Sequence, residues 1–146
     1  LLAVGMVLGW SLAASAQVVT SPSGFTFVHP DADFAVTGSY RFEFFQCTAI
    51  VSGVCQGRAV APFQTGTTVP KSIVTGPASA RHVTFSAIPP SNPLPSMPIG
   101  VAFVSTLVAI GDGAVGGTGE SVRSSDSNPF YTVGRQPVTP TALTLP

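Results

Sequence analysis

The chain has 146 residues, six Lys and Arg against six Asp and Glu, 45% hydrophobic residues and 8% charged ones. So few charges, with 15 Gly and 14 Pro, exclude a charge-laced helical bundle, and the balance of sign removes the basic footprint of a nucleic-acid binder. The length suits one domain with a core of its own.

Residues 1–16 carry no charge and end in Ala14-Ser15-Ala16, the small-x-small pattern that a signal peptidase accepts before Gln17. An export signal is expected there, shortened at its start because a basic leading region is missing. A retained anchor is the rival reading, but a helix needs about 20 apolar residues to span a bilayer, and the run is shorter. No Cys follows it that would carry a lipid.

From Gln17 onward no window of helical length keeps a 3.6-residue apolar stripe free of Gly and Pro. Short runs rich in Val, Phe, Thr and Tyr lie instead between turn-forming clusters, which predicts strands at 18–21, 24–28, 39–47, 57–63, 71–74, 83–87, 100–110 and 130–133. That many short strands predict two packed antiparallel sheets. Between the second and third lies His29-Pro30-Asp31-Ala32-Asp33, the richest polar cluster. Its residue types suit a structural turn better than a cation site, which needs a denser acidic loop. In 39–47 the alternation sets Tyr40, Phe42 and Phe44 on a core face and turns Arg41 and Glu43 to water.

Cys47 and Cys55 are the only cysteines, and after export two thiols so close in sequence are expected to join. The enclosed Thr48-Ala49-Ile50-Val51-Ser52-Gly53-Val54 suits a hairpin end. Two thiolates without further ligands cannot complete a tetrahedral metal shell, and the spacing is not C-x-x-C. Farther on, the five prolines in the twelve residues from Ala87 to Pro98 rule out a central strand and predict an extended crossover between sheets. The run 100–110 is apolar on both faces. It is either a central strand with a covered outer face or an exposed patch that meets a neighbour, and periodicity does not choose its register. The tail 134–146, with Pro137, Pro140 and several Thr, reads as a linker that leads toward another domain.

Val36-Thr37-Gly38-Ser39-Tyr40-Arg41-Phe42-Glu43-Phe44 resembles the turn into the third strand of a fibronectin type III domain. Pro98-Ile99-Gly100-Val101-Ala102-Phe103-Val104-Ser105-Thr106-Leu107-Val108-Ala109 resembles that family's sixth strand. Gly119-Glu120-Ser121 and Ser127-Asn128-Pro129-Phe130 are similar to its glycine-containing loop and the entry to its last strand. The resemblance implies an immunoglobulin-like two-sheet sandwich over residues 17–133. It departs from the family in three ways. Trp10, the only Trp, lies in the export segment, so Phe25 or Phe27 takes the core place of the family's second-strand Trp. Phe103 stands where a corner Tyr belongs. The two cysteines are too close in sequence to join opposite sheets.

Gly111-Asp112-Gly113-Ala114-Val115-Gly116 spells G-x-G-x-x-G after a strand, but no helical pattern follows to receive a pyrophosphate, so a hairpin loop is expected. Asp112, Gly113, Gly116, Gly117, Gly119 and Glu120 form a candidate binding loop, and Phe45 and Tyr131 are candidate exposed aromatics. The six carboxylates fall mostly on separate turns, no G-x-S-x-G elbow accompanies His29 and His82, and no catalytic, cofactor or metal residue is assigned. Asn92 and Asn128 each precede Pro, which blocks N-glycan attachment.

The expectation is a secreted or cell-surface, non-catalytic module acting as spacer or in adhesion and protein binding. The alternatives are a carbohydrate-binding module of a larger extracellular enzyme, or a subunit of a surface polymer that pairs through an open sheet edge. Its partner is a protein or a polysaccharide, with self-association open and no membrane span in the mature form.

Overall fold

A computed structural model of the chain describes residues 18–20, 22–64, 66–113 and 117–132. The export segment and the tail lie outside the described residues. The elements are β1 Val19–Thr20, β2 Gly24–Phe27, α1 Asp31–Ala35, β3 Thr37–Cys47, β4 Ile50–Val51, β5 Val54–Cys55, β6 Thr67–Pro70, β7 Arg81–Thr84, β8 Ala102–Gly111 and β9 Phe130–Tyr131. Among the described residues the protein is all-β apart from α1 and two single 3-10 turns. Among the described residues no helix is long and apolar enough to cross a membrane.

Five strands form a large sheet in the order β1-β9-β8-β3-β6, and β2 pairs with β7 in a small one. The long strands β3 and β8 pair antiparallel from Ser39↔Ile110 to Cys47↔Ala102. All pairings are antiparallel except β1 with β9. The period-two pattern of β3 turns Tyr40, Phe42 and Phe44 toward the small sheet, whose Phe25, Phe27 and Val83 meet them. Phe25 stacks on Phe42 with ring centroids 4.8 Å apart, and Phe27 lies 5.2 Å from Tyr40. These rings, with Val69, Phe103 and Phe130, make the core.

The Pro-rich crossover runs from the small sheet to the large one, and Ile88, Leu94 and Met97 from it pack on the core. Thr67 Oγ1 donates to Pro93 O at 3.0 Å, which ties the crossover to β6. Within the cysteine loop, β4 and β5 form a hairpin whose turn residues Ser52 and Gly53 both have positive φ, 50° and 76°, the backbone of a type I′ turn. The Cys47–Cys55 disulfide closes it, with Cα atoms 5.8 Å apart.

Three predicted strands are corrected. Residues 57–63 only touch the edge of β3: Ala59 N–H bonds Gln46 O and Phe63 N–H bonds Phe44 O, so four residues advance against two. Pro62 lacks a donor and Val60 bulges out, 99% exposed. Residues 71–73 form a 3-10 turn after Pro70, and the true strand there is β6. Residues 85–87 are likewise a 3-10 turn that continues β7. At the other end, Gly100 sits at φ 75°, outside β8.

Candidate functional site

The second face of the β3–β8 pair carries Arg41, Glu43, Phe45 and Cys47 from β3 and Ala102, Val104, Thr106 and Val108 from β8, by the pairing register. All but Arg41 are buried. The question left open for 100–110 therefore resolves to a central strand with a covered outer face. Its cover is residues 119–128, here called the strap, together with Arg58.

The strap has a period of three. Glu120-Ser121-Val122, Arg123-Ser124-Ser125 and Asp126-Ser127-Asn128 each repeat a charged residue, a serine and an outward residue. The serines ride on the edge of β8. Ser121, Ser124 and Ser127 donate their N–H groups to Ala109 O, Leu107 O and Ser105 O at 2.8–2.9 Å. The N–H groups of Ala109, Leu107 and Ser105 donate in return to the three Oγ atoms, each at 2.9 Å. Three strap residues thus advance with every two residues of β8, and each serine satisfies both backbone groups of its partner.

The charged members of the triplets meet the sheet in alternating sign. Glu120 takes both terminal nitrogens of Arg41 at 2.5 and 2.8 Å. Arg41 Nε also donates to Glu43 at 3.1 Å, Arg123 pairs with the other oxygen of Glu43, and Asp126 pairs with Arg58 at 3.0 Å. The strap reads minus, plus, minus against plus, minus, plus. Three of the chain's six cations and three of its six acids lie in this one strip. Hydrogen bonds from Arg123 and then Arg41 hold the Glu43 carboxyl below its ordinary pKa despite burial. Arg41 does the same for Glu120, and Glu120 raises Arg41 in turn.

Two expectations change here. Glu43 is not turned to water: its side chain is 8% exposed, because the strap closes over it. Phe45 is not an exposed aromatic but is 1% exposed. The Arg58 guanidinium lies 3.7 Å above its ring and Arg123 5.9 Å away, a packing that uses the ring's negative face. Tyr131 is half-buried and lines a shallow depression with Gln46, Cys47, Thr48 and Gly100.

Of the candidate loop, Asp112, Gly113, Gly117, Gly119 and Glu120 are described, and Gly116 lies outside the described residues. Gly113 N–H bonds Gly117 O at 2.7 Å and Gly111 N–H bonds Gly119 O at 2.9 Å, so the loop is the hairpin that turns β8 into the strap. A side chain at Gly117 would come within 2.0 Å of Val36 O, a close approach that only Gly allows. Glu120 is thus separated in role from its neighbours, being the first charged clasp of the strap.

The other polar clusters are tied up in structure. His29 Nδ1 and Tyr40 OH lie 2.8 Å apart, with burial lowering the His29 pKa and pushing Tyr40 up to about 12. Asp31 pairs with Arg81, which donates to Gly76 O at 2.8 Å and stacks 3.9 Å over Phe34. The turn predicted at 29–33 is thereby the entry to α1. His82 Nδ1 meets Thr26 Oγ1 at 3.0 Å.

Beside the strap lies an open cleft of about 440 Å³. Phe42 and Leu107 floor it, Phe25, Thr26, Phe27 and Val28 form one wall, and Ser124, Ser125, Asp126 and Ser127 the other. It exists because the small sheet ends at β2. The bond from Phe85 N–H to Ser23 O, with the β2–β7 register, points the backbone of residues 23, 25 and 27 at β7 and that of Thr26 at the cleft. Neither the strap nor this cleft follows from strand or helix periodicity. The charged-Ser-x triplet was the available signal.

Comparison with protein-family models, curated proteins and solved structures found no match to this chain.

Proposed function

We propose that the chain is an exported, non-catalytic β-sandwich module of fibronectin type III-like architecture that binds an extended segment of a partner protein, at the cell surface or outside the cell. The disulfide and the apolar leading segment support export. Packing of the small sheet on the inner face of the large one supports the sandwich. The observation that carries the binding role is the cleft. It joins an apolar aromatic floor to a wall of hydroxyls and to the outward N–H and C=O of Thr26, the groups that strand addition uses. Its one charge, Asp126, is already paired with Arg58, so an uncharged segment suits it.

The test is retention of surface or matrix proteins by the immobilised chain, compared with Leu107→Lys, which places a charge on the cleft floor. Loss of retention in a variant that melts like the parent supports the reading. Equal retention by both removes the cleft from it. Retention on insoluble polysaccharide that disappears in Tyr131→Ala would instead favour the carbohydrate-binding alternative.

A further inference from the structure

In an ordinary ladder each edge N–H meets a backbone carbonyl. Along the middle of β8, from Ser105 to Ala109, it does not. The N–H groups of Ser105, Leu107 and Ala109 meet serine hydroxyls, while the Oγ atoms of Ser121, Ser124 and Ser127 donate to the next carbonyls of the strap, each at 2.9 Å. The edge of β8 therefore keeps strand geometry under a cover that offers it no carbonyl from residue 105 to residue 109. Ala102–Gly111 contains no charged residue and no Pro, the devices that stop a long apolar edge from templating another strand. That protection falls to the strap, held down by its three charge contacts.

We propose that residues 119–128 guard a latent self-pairing edge: when the strap's ion pairs are weakened it lifts as a unit, and β8 pairs with β8 of a second copy. Antiparallel pairing about Leu107 sets Ser105 opposite Ala109 and Thr106 opposite Val108. These are small or branched partners with no like charges opposed, and the two-fold contact closes on itself. The inference does not depend on what occupies the cleft.

The experiment uses the two sets of amides on β8. Those of Ser105, Leu107 and Ala109 face the strap, and those of Val104, Thr106 and Val108 face β3. Hydrogen exchange is read by NMR on the full chain and on Arg123→Glu, which sets an acid against Glu43. The strap-facing amides are expected to exchange about tenfold faster or more, with the β3-facing set unchanged. At high concentration the fast set slows again as sedimentation shows a dimer. The proposal is overturned if both sets accelerate together, or if the strap-facing set stays fast while the particle remains monomeric at every concentration. Should Arg123→Glu not fold, the same two readings on Glu120→Gln, which removes the strap's charge contact with Arg41 at its more exposed end, decide it.

Discussion

On the face turned to the small sheet, Tyr40, Phe42 and Phe44 of β3 meet other rings. On the opposite face Arg41, Glu43 and Phe45, which alternate with them along the strand, meet a segment with no regular secondary structure. Both faces are closed to water, but by different means. The first is closed by apolar area, which is non-directional and tolerates small adjustments of its rings. The second is closed by bonds that must keep register, since three serines and three charges each need their own partner. The difference should appear in how each face responds to truncation, to acid and to salt.

The largest loss is expected on the aromatic face. Phe42 lies at its centre, stacked on Phe25 and within 6.4 Å of the Phe27 ring, and Phe42→Ala leaves a cavity between the sheets. It should lower the unfolding free energy by about 3–5 kcal/mol, read from urea denaturation. A cost under about 1 kcal/mol would show that the small sheet collapses onto the gap and that the face is less tightly packed than its rings indicate.

Next comes the disulfide, which pins the end of the strap face where Cys47 is buried. Replacing both Cys47 and Cys55 by Ser should cost about 2–3 kcal/mol, the chain-entropy value for a short loop. The first amides to lose protection should be those of β4 and β5. If the β3–β8 amides loosen with them, the hairpin supports the long strands as well as itself.

Glu43 tests the charged face directly. Its pKa is lower in the folded protein than in the unfolded chain. Its contribution is therefore complete above the ordinary carboxylate range and is lost as pH falls through the folded value. Glu43→Gln should cost about 1–2 kcal/mol at neutral pH, less than a fully buried pair because Arg123 is half exposed. In strong acid the parent and variant should converge, and the acid limb of the parent's stability profile should be the steeper. A constant difference between them from pH 7 to pH 2 would assign the loss to packing.

The same contrast explains what could be read from the sequence. The aromatic face was legible because alternation in one strand suffices to define it, and Tyr40, Phe42 and Phe44 carry that pattern unaided. The charged face was misread because the partners of Arg41 and Glu43 lie about eighty residues away, at Glu120 and Arg123, and a period of three matches neither the strand nor the helix template. β6 was missed because Thr67-Thr68-Val69-Pro70 is short and polar and ends in Pro, as an edge strand does. The composition of residues 57–63 is that of a strand, but Val60 and Pro62 break their pairing with β3. The two cysteines were legible because their chemistry is local.

The smallest effect expected is also the most specific to the strap. Ser124→Ala removes the hydroxyl that accepts from Leu107 N–H, but leaves Ser124 N–H bonded to Leu107 O and the flanking serines in place. One edge donor loses its partner at a site where water can reach it, so the cost should be about 0.5–1.5 kcal/mol. Glycine at the same position would add backbone freedom to the lost bond, so Ala is the cleaner probe. Ser125→Ala is its control, because Ser125 has an exposed hydroxyl in the outward position of the triplet and should change stability by no more than about 0.5 kcal/mol. If the two substitutions cost the same, the period of three has no energetic meaning and the strap is held by its charges alone. If Ser124→Ala costs more, the hydroxyl ladder and the ion pairs hold the strap separately, and combining Ser124→Ala with Glu43→Gln will show whether the two sets of bonds are additive or lift together.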